Sequence, residues 1–115
     1  MVGAQGATGV IEGWTAYQDF NFDRTRTDLT PSQMDRVSDI AAYLTQNPSL
    51  DVGIDGSLDG RGFSQSDRRL SDNRAASLRG ALIQAGVPAS RIKMGAFADP
   101  ARRQQGQIQL LIKTA

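Results

Sequence analysis

The stretch from Asp55 to Ala85 limits the possible folds most, because it sets a charge inside an apolar stripe. It reads DGSLDGRGFSQSDRRLSDNRAASLRGALIQA. A short apolar strand ends, a polar Gly-rich loop follows, and a long helix begins. On that helix Leu70, Arg74, Leu78 and Leu82 recur every four residues and share one face. Steps of about 100° per residue set Arg74 between Leu70 and Leu78, in the arc that also holds Ala81, Leu82 and Ala85. Asp67 and Ser71 point into the same arc at the helix start, whereas Arg68, Arg69, Asp72 and Arg79 lie at its edge or off it. A buried guanidinium without a partner is too costly to keep, so Arg74 demands one.

Two readings of Arg74 stand on this pattern. It is either a structural arginine, salt-bridged or snorkelling, or the anion-gripping group of a pocket under the helix N-terminus. The free N–H groups and positive dipole end there suit an anion, and an arginine one turn in can grip a carboxylate with two parallel hydrogen bonds. Asp59, on the loop that forms the lip, would supply a negative point for an ammonium. An Arg opposite an Asp matches a zwitterion, such as the backbone end of an amino acid.

The chemistry open to such a pocket is narrow, because the 115 residues include no histidine and no cysteine. His-based triads, cysteine nucleophiles, redox pairs and His/Cys zinc sites are excluded. A formal net charge of +1 gives no general pull towards nucleic acid or anionic lipid. No apolar run approaches a membrane span, and Met1 is followed by VGAQGATG, which has neither the basic nor the apolar region of a signal peptide. Residues 1–13 are expected to be a flexible N-terminal linker and residues 14–115 a single domain.

Along that domain, Trp14, Ala16, Phe20 and Phe22 alternate with Thr15, Tyr17, Asp19 and Asn21, which predicts a half-buried strand. Thr30-Pro31-Ser32-Gln33 predicts a capped helix start with a capping box, and Met34, Val37, Ile40, Ala41 and Leu44 its apolar face. Asn47-Pro48 ends that helix. Leu50, Val52 and Ile54 predict a second strand. The second helix starts between Ser64 and Asp67, where Ser64 with Asp67 resembles a capping pair and Ser66 or Asp67 are alternative caps, and it stops at Gly86. Arg91 to Phe97 and Gln107 to Lys113 predict two further strands, the last with Ile108, Leu110 and Ile112 on one face. The order β-α-β-α-β-β implies an α/β (α+β) two-layer sandwich, with two helices on one face of a mixed sheet.

The loop and second helix resemble the OmpA-like peptidoglycan-binding domain, the family of the C-terminal domains of OmpA, Pal and MotB. Its signature is roughly Gly-His-Thr-Asp, a Gly-containing loop, then Asn-x-x-Leu-Ser-x-x-Arg-Ala. Here it stands as Gly56-Ser57-Leu58-Asp59, then Asp67-Arg68-Arg69-Leu70-Ser71-Asp72-Asn73-Arg74-Ala75, with Gly62 where a loop glycine is expected. Fifteen residues separate Asp59 from Arg74, as in the family. Phe22 to Leu29 before Thr30-Pro31, and Ala85-Gly86-Val87 before Arg91-Ile92, extend the likeness over about residues 14 to 113. Ser57-Leu58 replace His-Thr, Asp67 replaces Asn, and Gln105 to Gln109 replace a late Asn-Arg-Arg-Val-Glu, leaving Arg102 or Arg103 as the nearby arginines.

The resemblance implies a non-catalytic domain that binds a diaminopimelate-type peptidoglycan stem peptide and anchors an envelope protein to the cell wall. Asp59 would take the ammonium of diaminopimelate and Arg74 its carboxylate, with Asp67, Leu70, Ser71 and Gly62 lining the site. The implied setting is the periplasm, within an outer-membrane or envelope-associated protein. No cofactor, metal or nucleic-acid partner is implied. The alternative is the same fold with an altered pocket, used to dock other envelope proteins.

Two other classes fit the residues less well. Asp55-x-Ser57-x-Asp59-Gly60 mimics half of a calcium loop, but the twelfth position is Ser66 and a strand precedes it. Asp55, Asp59 and Asp67 could form an acid–base pair, yet nothing in the sequence marks a nucleophile beside them.

Overall fold

The computed structural model describes residues 13–56, 64–95 and 106–114. Among these residues four strands and two helices follow in the order β1 (Thr15–Asn21), α1 (Pro31–Gln46), β2 (Leu50–Asp55), α2 (Gln65–Gln84), β3 (Ile92–Met94) and β4 (Gln107–Thr114). A 3-10 turn, Ala89–Arg91, leads into β3. The sheet order is β1-β4-β2-β3. β4 runs antiparallel to both β1 and β2, and β3 runs parallel to β2. This is the two-layer α/β arrangement implied by the order of elements.

Both helices begin where local chemistry dictates. Thr30 caps α1: its Oγ1 accepts from the Gln33 N–H at 3.2 Å, and the Gln33 side chain accepts from the Thr30 N–H at 2.9 Å. Pro31 follows at the first helical position, where its missing N–H costs nothing. Ser64 and Asp67 form the same reciprocal box on α2, both bonds at 3.0 Å. At the other end Gly86, with φ 109°, takes the left-handed turn a side chain would resist. Its N–H donates to the Ile83 carbonyl and that of Val87 to Leu82, which closes α2 as a Schellman motif.

The core lies between the helices and one face of the sheet. Phe20, Ile40, Leu44, Val52, Leu78, Leu82, Ile108 and Leu110 are all fully buried there. Fully burying a side chain of this size stabilises by about 1.5–3 kcal/mol, so this layer sets the position of α2.

Four expectations are corrected. Trp14 and Ala16 do not share the face of Phe20 and Phe22, because the register with β4 shifts between Ala16 and Gln18. This bulge turns Tyr17 towards the core, while Trp14 packs with Lys113 on the sheet face away from the helices. Met34 is 41% exposed rather than core, because it lines an open groove between α1 and α2 that small residues such as Ala76 and Gly80 leave wide. Ala85 is the exposed cap of α2, beyond its apolar stripe. Arg91 lies in the 3-10 turn, and β3 is described only over Ile92–Met94.

Candidate ligand-binding site

The end of β2 meets the first turns of α2 at Gly56. A Cβ there would lie 3.0 Å from the Ser71 carbonyl oxygen and 3.1 Å from both Ala75 Cβ and Ile108 Cδ1. A side chain there would be tighter than ordinary packing, so glycine lets the end of the strand lie close against the helix. The turn of α2 that it touches carries Ser71 and Arg74.

Arg74 is fully buried, as its place in the stripe predicts, and so are Leu78 and Leu82, whereas Leu70 is half-buried. Its Nε donates to the Arg26 carbonyl at 2.7 Å, and its Nη2 donates to the Arg24 carbonyl. The guanidinium also lies over the Phe22 ring, 5.5 Å from its centroid. These contacts tie α2 to the segment between β1 and α1. Arg24 itself has φ 31°, a left-handed conformation uncommon outside glycine, and its carbonyl is one of the two that Arg74 holds. The Nε–Nη2 side of the guanidinium therefore serves the protein's own backbone. Its Nη1 is buried and has no hydrogen-bond partner among the described residues.

Burial lowers the Arg74 pKa from the ordinary arginine value, and the Asp67 carboxylate opposes that shift. Arginine remains charged in proteins, so the site holds a buried cation with one nitrogen unpaired among the described residues. Asp67 has a double part: its carboxylate closes the α2 cap and its charge favours the Arg74 cation. Ser71 is 1% exposed, and its Oγ is likewise buried without a partner among the described residues. Asp59 and Gly62, with Ser57, Leu58, Arg102 and Arg103, lie outside the described residues.

The carbonyls of Arg24 and Arg26 were not legible as partners of Arg74. A backbone acceptor leaves no mark on residue type. The aromatic Phe22 beside a polar Arg-Thr-Arg-Thr segment was the only cue.

A family profile described as the OmpA family matches residues 21–108, most of the described domain. The chain belongs to the OmpA family. Among curated relatives, the probable lipoprotein YiaD of Escherichia coli is 36% identical over 72 residues, which are 63% of this chain and 33% of YiaD. The peptidoglycan-associated lipoprotein of Agrobacterium fabrum is 32% identical over 72 residues, covering 41% of its length. The chain thus matches only about a third to two fifths of these curated relatives. The crystal structure of the peptidoglycan-associated lipoprotein from Burkholderia pseudomallei superposes with a TM-score of 0.67 at 20% identity, over 84% of this chain and 91% of that one. At that identity the likeness establishes the OmpA-like fold.

Proposed function

We propose that this domain is a non-catalytic binding module for the diaminopimelate-type stem peptide of peptidoglycan, and that it anchors an envelope protein to the wall from the periplasmic side. The observation that carries the reading is the Nη1 of Arg74, a buried cationic donor with no partner among the described residues. A ligand carboxylate answers that donor, and the charge assistance makes such a bond roughly twice as strong as a neutral one. Asp59, fifteen residues earlier, takes the ammonium at the other side of the same amino-acid end. Membership of the OmpA family and similarity to a peptidoglycan-associated lipoprotein support the choice of ligand.

Co-sedimentation with purified diaminopimelate-type sacculi tests it. Wild type is expected in the pellet, and Arg74→Ala and Asp59→Ala in the supernatant, with circular dichroism confirming that each variant is folded. Wild type left in the supernatant would overturn wall binding.

A further inference from the structure

Two side chains of α1 reach round to the outer edge of the sheet and take backbone carbonyls there. β1 has β4 on one side and no described strand on the other. Residues of an antiparallel strand turn their N–H and C=O groups alternately towards the neighbour and away from it. Phe22 donates its N–H to the Gly106 carbonyl, at the end of the β1–β4 ladder, so Phe20 and Gln18 also face β4. Asp19 and Asn21 therefore turn their backbone groups outwards. Both of their carbonyls are held by α1: Gln33 Nε2 donates to that of Asn21 at 2.8 Å, and Arg36 Nη2 to that of Asp19 at 2.8 Å. Each of these side chains is itself fixed. Gln33 Oε1 accepts from the Thr30 N–H in the capping box. The Arg36 guanidinium lies 4.1 Å from the centroid of the Phe20 ring, and its Nε and Nη2 donate to Gln18 Oε1 at 3.2 and 2.7 Å.

We infer that α1 holds the β1 edge shut against strand addition, and that the strand it excludes is β1 of a second copy of this chain. An edge strand with free N–H and C=O groups is a template for another strand. β1 is seven residues long, whereas β3 at the other edge spans three, so among the described residues β1 is the edge long enough to take a partner. The matching edge on a second molecule is β1 again. Two copies paired antiparallel about Phe20 set Asp19 of each opposite Asn21 of the other, so no like charges face directly. In that register the acceptors are the carbonyls of Asp19 and Asn21, the same two that Arg36 and Gln33 occupy. The caps and the second strand compete for the same atoms, and the caps are tethered within reach.

Sedimentation velocity over a range of concentrations tests this on wild type, Arg36→Met and the double variant Gln33→Ala/Arg36→Met. Methionine keeps an apolar stem over Phe20 and removes the donors. Wild type should sediment as a monomer and Arg36→Met as a weak dimer. The double variant should dimerise about tenfold more tightly than Arg36→Met, the worth of one further carbonyl released. Gln33→Ala also opens the capping box, so circular dichroism checks the fold; Arg36→Met leaves the box whole and carries the test alone if the double variant is unfolded. Amide hydrogen exchange locates the contact: the N–H groups of Asp19 and Asn21 should exchange more slowly in the dimer than in the wild-type monomer. A dimeric wild type, variants that stay monomeric at every concentration, or open-ended aggregates with no dimer would each overturn the inference. So would a dimer in which those two amides exchange as fast as before, since that marks a contact elsewhere. Wall binding stands or falls separately.

Discussion

Arg74 and Arg91 both reach from one element to the backbone carbonyls of another, yet they end in different states. Arg91, half-buried in the 3-10 turn, donates from Nε to the Leu50 carbonyl at 3.0 Å and from Nη2 to the Asn47 carbonyl at 2.9 Å. It thereby joins the end of α1 to the start of β2, and none of its nitrogens is buried without a partner. Arg74 makes the same kind of clamp on Arg24 and Arg26 but is fully buried, and its Nη1 has no partner among the described residues. A carbonyl clamp explains an arginine's place in a fold. It does not explain a buried donor without a partner among the described residues, and that donor is what sets Arg74 apart from Arg91.

Four substitutions break or sharpen that contrast. Arg74→Ala removes two carbonyl bonds and leaves a cavity, so chemical denaturation should show a loss of roughly 3 kcal/mol together with loss of sacculus binding. A variant that kept binding would place Arg74 beside Arg91 as a purely structural residue. Gly56→Ala presses a methyl group against Ser71, Ala75 and Ile108 and should cost roughly 2 kcal/mol. It should also weaken stem-peptide affinity in titration, because the turn that carries both orphan atoms must shift. Arg91→Ala should cost roughly 1–2 kcal/mol in the same denaturation assay and leave sedimentation with sacculi unchanged. Gly80→Ala is the smallest and has the opposite sign. Nothing lies within 4 Å of a Cβ there, so melting should report a gain of about 1 kcal/mol from helix propensity, with binding intact.

Local chemistry was the most legible part of this chain. Thr30-Pro31-Gln33, Ser64 with Asp67, and Gly86 announce helix ends through bonds that span three to five residues, and the structure places them as expected. Periodicity alone put Arg74 in the apolar stripe. Distant pairing was not legible. The bulge at Tyr17 arises from the register with β4, some ninety residues away in the chain, and it reversed the face of Trp14. Met34 has the spacing of a core residue, but the small side chains on the facing turns of α2 leave it uncovered. For the candidate site, sequence supplied Arg74 and Ser71 as inward-facing polar groups, whereas the carbonyls that Arg74 Nε and Nη2 hold belong to backbone atoms of the β1–α1 connection.

The place of β4 has a consequence for how this domain comes to exist. β1 and β2 do not touch each other along the sheet: the strand made last is wedged between them and pairs with both. Until Gln107–Thr114 has emerged, the earlier strands have no common neighbour and the sheet has no middle. A growing or threading polypeptide of this topology stays open along most of its length and locks in one late step, as a seam does when its final stitch is drawn.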